Sequence, residues 1–598
     1  MGVRKTCLKS ILGGMILLAG MAIHAEPMQF LPMDKPQKIT VFVAKKFVTM
    51  DPAIPTATAV AISDGKILSV GSLLDLKPWL DKYPYEINRQ FADKIVYPGF
   101  VDPHSHPLMG GITQTSLPLT FLPLPNAWGK PFPGVPNLKA AIAKLKEYSA
   151  AIADPNEMLL AWGYDIIAMK QTPDSAMLDA VSTIRPVMVW DYSEHNLFLN
   201  SAALKKYVAD PESAKKIVGV GVNADGTLNG QFIGVNASQY LMGFAGKDFL
   251  TPDRLSKAML YSNDLAQQGG VTTTAELTFG LFDVDFEKMM MSKFTNSNIT
   301  SLRIANVVYA DPFIAKYGEK AIEEAQALPK LNNDRLFFKG VKFFSDDAYL
   351  SNMMGLQNPA YTDWHKGIIF YPSAQSLEKA IRPWWNAGFA VHVHSNGNGG
   401  IANSLNALQM LQDEKPRFDH RFTLEHLGLP SSMMVRKVKE LGAIASVNPS
   451  YFYTRAGVQV EDLGTDRASY ATRTGNLVKE GVIVALHSDN PVGQPLPLKE
   501  VWAVVNRQNL YTGDRKWAPA EAVSVEQAMR MVTIDAAYVI GLENQVGSIE
   551  TGKFADFTIL AEDPMTVPKE KIKDIAVTGT VLGGRFIPVS ETRQPRPF

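Results

Sequence analysis

The sequence predicts an α/β fold: a TIM-like (β/α)8 barrel with a large insertion after its first strand and a small β-sandwich-like domain built from both chain ends. Three observations carry this. Eight short apolar runs each end in polar residues, and from Asp253 onward they alternate with stretches of helical periodicity. The two ends of the chain, residues 39–70 and 546–586, have strand character without that alternation. Six of the ten histidines stand at the C-terminal ends of the apolar runs, the face on which such barrels carry their chemistry.

The first 25 residues read as a signal peptide. Arg4, Lys5 and Lys9 precede an apolar run from Ile11 to Ile23, and Ala25-Glu26-Pro27 offers a cleavage point. The run is shorter than the roughly 20 residues a membrane span needs, so the mature chain is expected without a stable span, in the periplasm or secreted. Cys7, the sole cysteine, falls inside this leader, which excludes disulfides and cysteine metal sites from the mature chain. The balance of 59 basic and 59 acidic side chains gives no case for nucleic acid or an anionic membrane as partner. A small molecule is the expected partner, with homo-oligomer formation open.

Residues 26–95 and 541–598 are expected to form the composite β domain. Within it Ser63-Asp64-Gly65-Lys66 is a turn between two strands, with glycine available for positive φ. The barrel then occupies 96–540. Its first run, 96–106, ends in His104 and His106, two positions apart and so on one side of a strand. The insertion covers about 107–251, is proline-rich at first, turns helical at 138–153, and is read as a cover over the barrel mouth. In it, 162–165 and 193–196 read as exposed polar-aromatic turns. The later runs are 271–277, 302–309, 340–345, 389–394, 422–426, 444–448 and 482–489. Their ends supply Lys342, His392, His394, His426 and Asp489, and neutral imidazole is a common ligand of zinc-like metals.

Tyr97-Pro98-Gly99-Phe100-Val101-Asp102-Pro103-His104-Ser105-His106, the lysine on the fourth run, the later single histidines and Ser488-Asp489-Asn490-Pro491 resemble the metal-dependent amidohydrolase superfamily. The stretch from Gly547 to Asp556 is similar to its C-terminal signature. Trp162-Gly163-Tyr164-Asp165 and Asn200-Ser201-Ala202-Ala203-Leu204 resemble amidohydrolase family 3, the YtcJ-like proteins. The resemblance spans nearly the whole mature chain.

It implies two divalent ions, zinc foremost, with Mn, Fe, Co and Ni suited by the same donors. His104, His106 and Asp489 would hold the more buried ion, and His394 and His426 the second. Lys342 would bridge them as a carboxylated lysine, because an ammonium cannot ligate a cation whereas a carbamate offers two oxygens. Asp489 would carry the catalytic proton from the attacking water to the leaving amine. The implied reaction is hydrolysis of a non-peptide C–N bond in an N-acyl, N-formyl or cyclic amide. Ester, lactone or deaminase chemistry on the same site is the alternative, as is a retired periplasmic binding or regulatory protein, against which Lys342 and Asp489 both speak.

Trp162, Tyr164, Asp165, His195 and Glu276 are candidate substrate-binding residues. The first four fit surface turns equally well, and Glu276 also fits an acceptor behind a ligand. Lys342 has a second reading as a lysine paired with Asp346 or Asp347. His392 is assigned to packing or ligand support, His487 to structure. The chain departs from the family pattern at Asp347, Asn398 and His487, where relatives commonly carry Gly, Asp and Gly.

Overall fold

The computed structural model describes residues 38–510 and 516–590; the leader expected at 1–25 lies outside them. The strand pattern at the two chain ends builds one seven-stranded sheet, in the order 585–588, 577–582, 557–560, 85–98, 39–48, 56–63 and 66–71. Tyr85–Pro98 joins its two halves, running parallel to Ile39–Val48 and antiparallel to Phe557–Leu560. Phenylalanines from both halves interlock behind it, with Phe42 and Phe91 at 5.2 Å between ring centroids and Phe47 and Phe557 at 5.9 Å. The turn expected at 63–66 is a two-residue hairpin with Asp64 at φ 51° and Gly65 at φ 75°. Those positive angles match the right-handed twist of the flanking strands.

One residue separates this sheet from the barrel. Gly99 lies between Tyr85–Pro98 and the first barrel strand, β1 (Phe100–Ser105). A Cβ on Gly99 would stand 2.0 Å from Thr272 Oγ1, so only glycine permits this approach. The other strands are β2 (Val271–Phe279), β3 (Arg303–Tyr309), β4 (Leu336–Phe344), β5 (Val391–Ser395), β6 (Thr423–His426), β7 (Ile444–Val447) and β8 (Val484–Leu486). Each pairs in parallel with the next. Their near-complete burial explains why they read as continuous apolar runs. Among the described residues β8 and β1 share no ladder. Side-chain and loop contacts join them instead: the Asp489 N–H donates to the His104 carbonyl at 2.9 Å, the His106 N–H to the Asn490 carbonyl at 3.0 Å, and Ser488 Oγ to the Asp102 carboxylate at 2.5 Å.

The insertion holds a sheet of its own, six strands in the order 220–222, 228–232, 197–199, 187–191, 159–164 and 117–118. Its strands are short and several are buried on both faces, so no polar alternation marks them in sequence. This corrects the reading of two exposed turns. Trp162 and Tyr164 lie in the strand Leu159–Tyr164, 0% and 1% exposed, and Ser193, Glu194 and Asn196 are buried too. The helix expected at 138–153 is present as Leu138–Ala151, capped by the Asn137 side chain, which accepts from the Ala140 N–H. Helix α1 (Val235–Phe249) ends the insertion and lays Val235, Ser238 and Met242 over the barrel mouth. No helix among the described residues is long and apolar enough to cross a membrane.

Candidate active site

The C-terminal ends of the barrel strands surround a cavity of about 380 Å3. His104 from β1, His106 just after it, Lys342 from β4, His394 from β5, His426 from β6 and Asp489 beyond β8 all line it. Parallel register accounts for the convergence: Lys342 lies opposite His392, and His394 opposite Glu425, so successive strands deliver their polar residues at one level. Asp489 Oδ1 lies 3.3 Å from Nε2 of both His104 and His106, and its Oδ2 lies 3.7 Å from His426 Nδ1. The rings of His394 and His426 are 4.5 Å apart, and those of His104 and His426 4.6 Å. His426 (φ 74°) and Asp489 (φ 56°) both hold left-handed backbone, which costs a non-glycine residue about 1–3 kcal/mol and is found where structure over-determines a functional side chain.

Carboxylates behind the ligand ring aim it. Glu425, fully buried, accepts from His104 Nδ1 through one oxygen and from His392 Nδ1 through the other, each at 2.7 Å. Glu276 accepts from His106 Nδ1 at 3.0 Å, with Thr278 Oγ1 beside the same nitrogen. These bonds turn Nε2 of both rings toward Asp489, where His104 presents a lone pair and His106, in the metal-free chain, an N–H.

Electrostatics fit a metal centre. Burial, reinforced by neighbouring cationic groups, holds His104, His394 and His426 well below the ordinary histidine value, so their imidazoles are neutral donors. Burial also pushes the Lys342 ammonium down to about 8 against the attraction of Glu425 and Asp489. Lys342 Nζ and His426 Nδ1 are buried and make no hydrogen bond, a costly state that a bound group would relieve. One ligand atom each from His104, His106 and Asp489 lie within 4.8 Å of one another. Nitrogen and oxygen donors this close are what a divalent ion requires.

The pairing of Lys342 with Asp346 or Asp347 does not form. Asp346 accepts instead from the N–H groups of Asn396 (2.8 Å), Gly397 (2.6 Å) and Gly355 (2.9 Å), and Asp347 bonds His195. His195 lines the cavity, its ring 5.5 Å from that of His394. Glu276 stands behind His106. Trp162 and Tyr164 are packed inside the insertion sheet, and Asp165 is paired with Arg455 and accepts from the N–H groups of Ile167 and Ala168; none of the three lines this cavity. Sequence reasoning passes over Glu425, whose only signal is its place beside His426, and over Glu194 and Trp190 of the insertion, which also line the cavity.

Residues 92–588 match the model of the Amidohydrolase family. The chain is 24% identical to the N-substituted formamide deformylase of Arthrobacter pascens over 90% of its own length and 96% of that protein's. It is 23% identical to the amidohydrolase-named protein YtcJ of Bacillus subtilis, over 88% of this chain and 95% of that one. An uncharacterized metal-dependent hydrolase of Pyrococcus horikoshii shares its fold, with a TM-score of 0.67 at 18% identity over 89% of this chain and 99% of that one. The chain thus belongs to the amidohydrolase family, metal-dependent hydrolases of carbon–nitrogen bonds other than peptide bonds.

Proposed function

We propose that the protein is an exported amidohydrolase that opens a non-peptide amide of a small molecule, N-acyl, N-formyl or cyclic, at a centre of two divalent ions, zinc foremost. The observation that carries this reading is the meeting of His104, His106, Lys342, His394, His426 and Asp489 in one cavity. The ions, when bound, supply Lewis acidity: they lower the pKa of a water and polarise a carbonyl oxygen. His104, His106 and Asp489 would hold one, and His394 and His426 the other. Lys342 would serve both after its neutral amine adds to carbon dioxide and loses a proton; its buried, unpartnered Nζ and depressed pKa support this.

Burial alone would raise Asp489, but hydrogen bonding and charge from His106 hold it below the usual carboxylate value, so it is ionised and able to accept a proton. It takes one from the attacking water and returns it to the leaving nitrogen, giving a carboxylic acid and an amine. Met109, Trp190, Val235, Met242, Leu281 and Phe282 make an apolar wall suited to a hydrocarbon substituent on the amide. The likeness to a formamide deformylase supports including N-formyl amines among the first substrates tried.

The test is product analysis on matched amide and ester panels with metal-loaded wild type and Asp489→Asn. Amide cleavage falling about 10²–10⁴-fold in the variant, with metal content retained, supports the proton role. Equal rates refute it, and turnover of esters alone refutes the bond assignment. Export rests on the leader at 1–25; an uncleaved N-terminus on cytoplasmic protein would refute that part.

A further inference from the structure

We propose that a second cavity, beside the metal centre, binds a small amino acid in its zwitterionic form, with Lys499 taking the carboxylate and Glu500 the ammonium. The proposal is independent of the metal-centre reading.

This cavity holds about 270 Å3 and lies among the loop after β7, the segment after β8, residues 120–125 of the insertion and the helix Pro497–Asn506. One stretch of chain walls both cavities: Asp489 lines the first, His487, Ser488 and Gln494 line the second, and Val492 borders each. Polar groups of the second cavity are left unmatched. His487 is fully buried, and neither of its ring nitrogens has a hydrogen-bond partner. Gln494 Oε1 is buried and unpartnered as well, and a carbonyl oxygen can be satisfied only by a donor. Such groups are costly until an occupant bonds to them.

Two ionisable groups of opposite sign line the same space without meeting. Lys499 and Glu500 are consecutive in the helix, where neighbouring side chains diverge by about 100°. Among the described residues neither forms an ion pair or a hydrogen bond; Lys499 Nζ only overlies the Tyr453 ring, 5.0 Å from its centroid. Burial, with Lys573 adding to it, holds the Lys499 ammonium below its ordinary range. Burial, with the Asp102 carboxyl adding to it, lifts Glu500 well above the usual carboxylate range. A carboxylate arriving at Lys499 secures its ammonium, and an ammonium arriving at Glu500 favours the ionised carboxyl. The other charged pair on the lining, Asp165 and Arg455, already neutralises itself. The ligand that answers both groups therefore carries one charge of each sign. Leu122, Leu124, Tyr453 and Leu496 offer an apolar wall to the carbon chain between those charges. The volume falls below the roughly 300–1,000 Å3 of drug-sized sites, so the occupant is small.

Calorimetric titration of the full, metal-loaded chain with leucine, 4-aminobutanoate and 6-aminohexanoate tests this, with hexanoate and hexylamine as single-charge controls. One-to-one binding of at least one amino acid, about tenfold or more tighter than either control, is expected. Lys499→Met and Glu500→Gln should each weaken that binding about tenfold or more in variants of wild-type circular dichroism. A crystal of the wild-type chain soaked with the tightest binder needs no mutation and should show it between Lys499 and Glu500. Silence from all three amino acids, controls that bind as well, affinity unmoved by both substitutions, or density beside the metal ligands alone each overturns the proposal.

Discussion

Glu425→Gln tests whether the ligand ring is aimed by what lies behind it. Glu425 is fully buried and its two oxygens each accept an N–H at 2.7 Å, from His104 and from His392. A glutamine keeps the shape but has one acceptor. Its amide NH2 must then face one of the two imidazole N–H groups, turning an attraction into a donor–donor clash. The ring either changes tautomer, which on His104 withdraws the lone pair at Nε2, or leaves a buried N–H unpaired. Losing a hydrogen bond to a charged group costs about 1.5–3 kcal/mol, which at about 1.4 kcal/mol per decade is roughly 10–100-fold in binding. Burial tends to raise Glu425, but the His392 bond and the charge of Lys342 keep it below the usual carboxylate value, so the wild-type acceptor is ionised. The assay is zinc affinity by chelator competition, with kcat/KM on the best amide alongside. A fall of about 10–100-fold in zinc affinity, with thermal stability of the metal-free protein lowered, is expected. Zinc affinity within twofold of wild type would refute the clamp.

Metal uptake should depend on pH. Burial acts to lower His106, but its bonds with Asp489 and Glu276 outweigh this and push it up to about 10 in the metal-free chain. An ion must displace that proton, so affinity should drop about tenfold per unit as pH falls below 10 from this group alone. Calorimetry in buffers of different ionisation heat counts the proton, and a flat profile would contradict the pairing. Asp165→Asn leaves the Arg455 guanidinium with a weaker partner in a buried setting and should cost about 3–5 kcal/mol of stability by denaturant titration while KM stays put; a raised KM with stability unchanged would restore Asp165 as a substrate contact. Arg303 and Asp556 form a buried pair between β3 and the terminal sheet, at 2.5 Å and 2.9 Å. Asp556→Asn should lower the melting temperature of the whole chain; a transition confined to the terminal strands would show that sheet and barrel unfold apart.

The barrel is legible in sequence because strands buried on both faces appear as apolar runs of the right length, and a histidine or lysine closing such a run breaks its apolar character at the end where ligands belong. His104, His106, Lys342, His394, His426 and Asp489 all stand out in this way. Glu425 does not, because a carboxylate beside a histidine has no spacing signature; its role comes from the register of β6 against β5. Asp165 misleads for a related reason. An acidic residue after Trp-Gly-Tyr invites a binding role, yet its partner Arg455 is 290 residues away and appears only when the chain is folded. The insertion sheet escapes notice because strands of two to six residues, several with both faces covered, carry neither alternation nor length.

The join between β8 and β1 bears on how the chain is made. Asp102 and Ser488 meet across 386 residues, and the neighbouring backbone bonds come from His106 and Asp489 themselves. During synthesis the first two histidines leave the ribosome long before their carboxylate exists, and until it does β1 has an open edge. Closing so long a loop is entropically slow. Completion of the barrel and completion of the ligand ring are therefore one event, late in the life of the nascent chain, and a chain released before Ser488 would have neither.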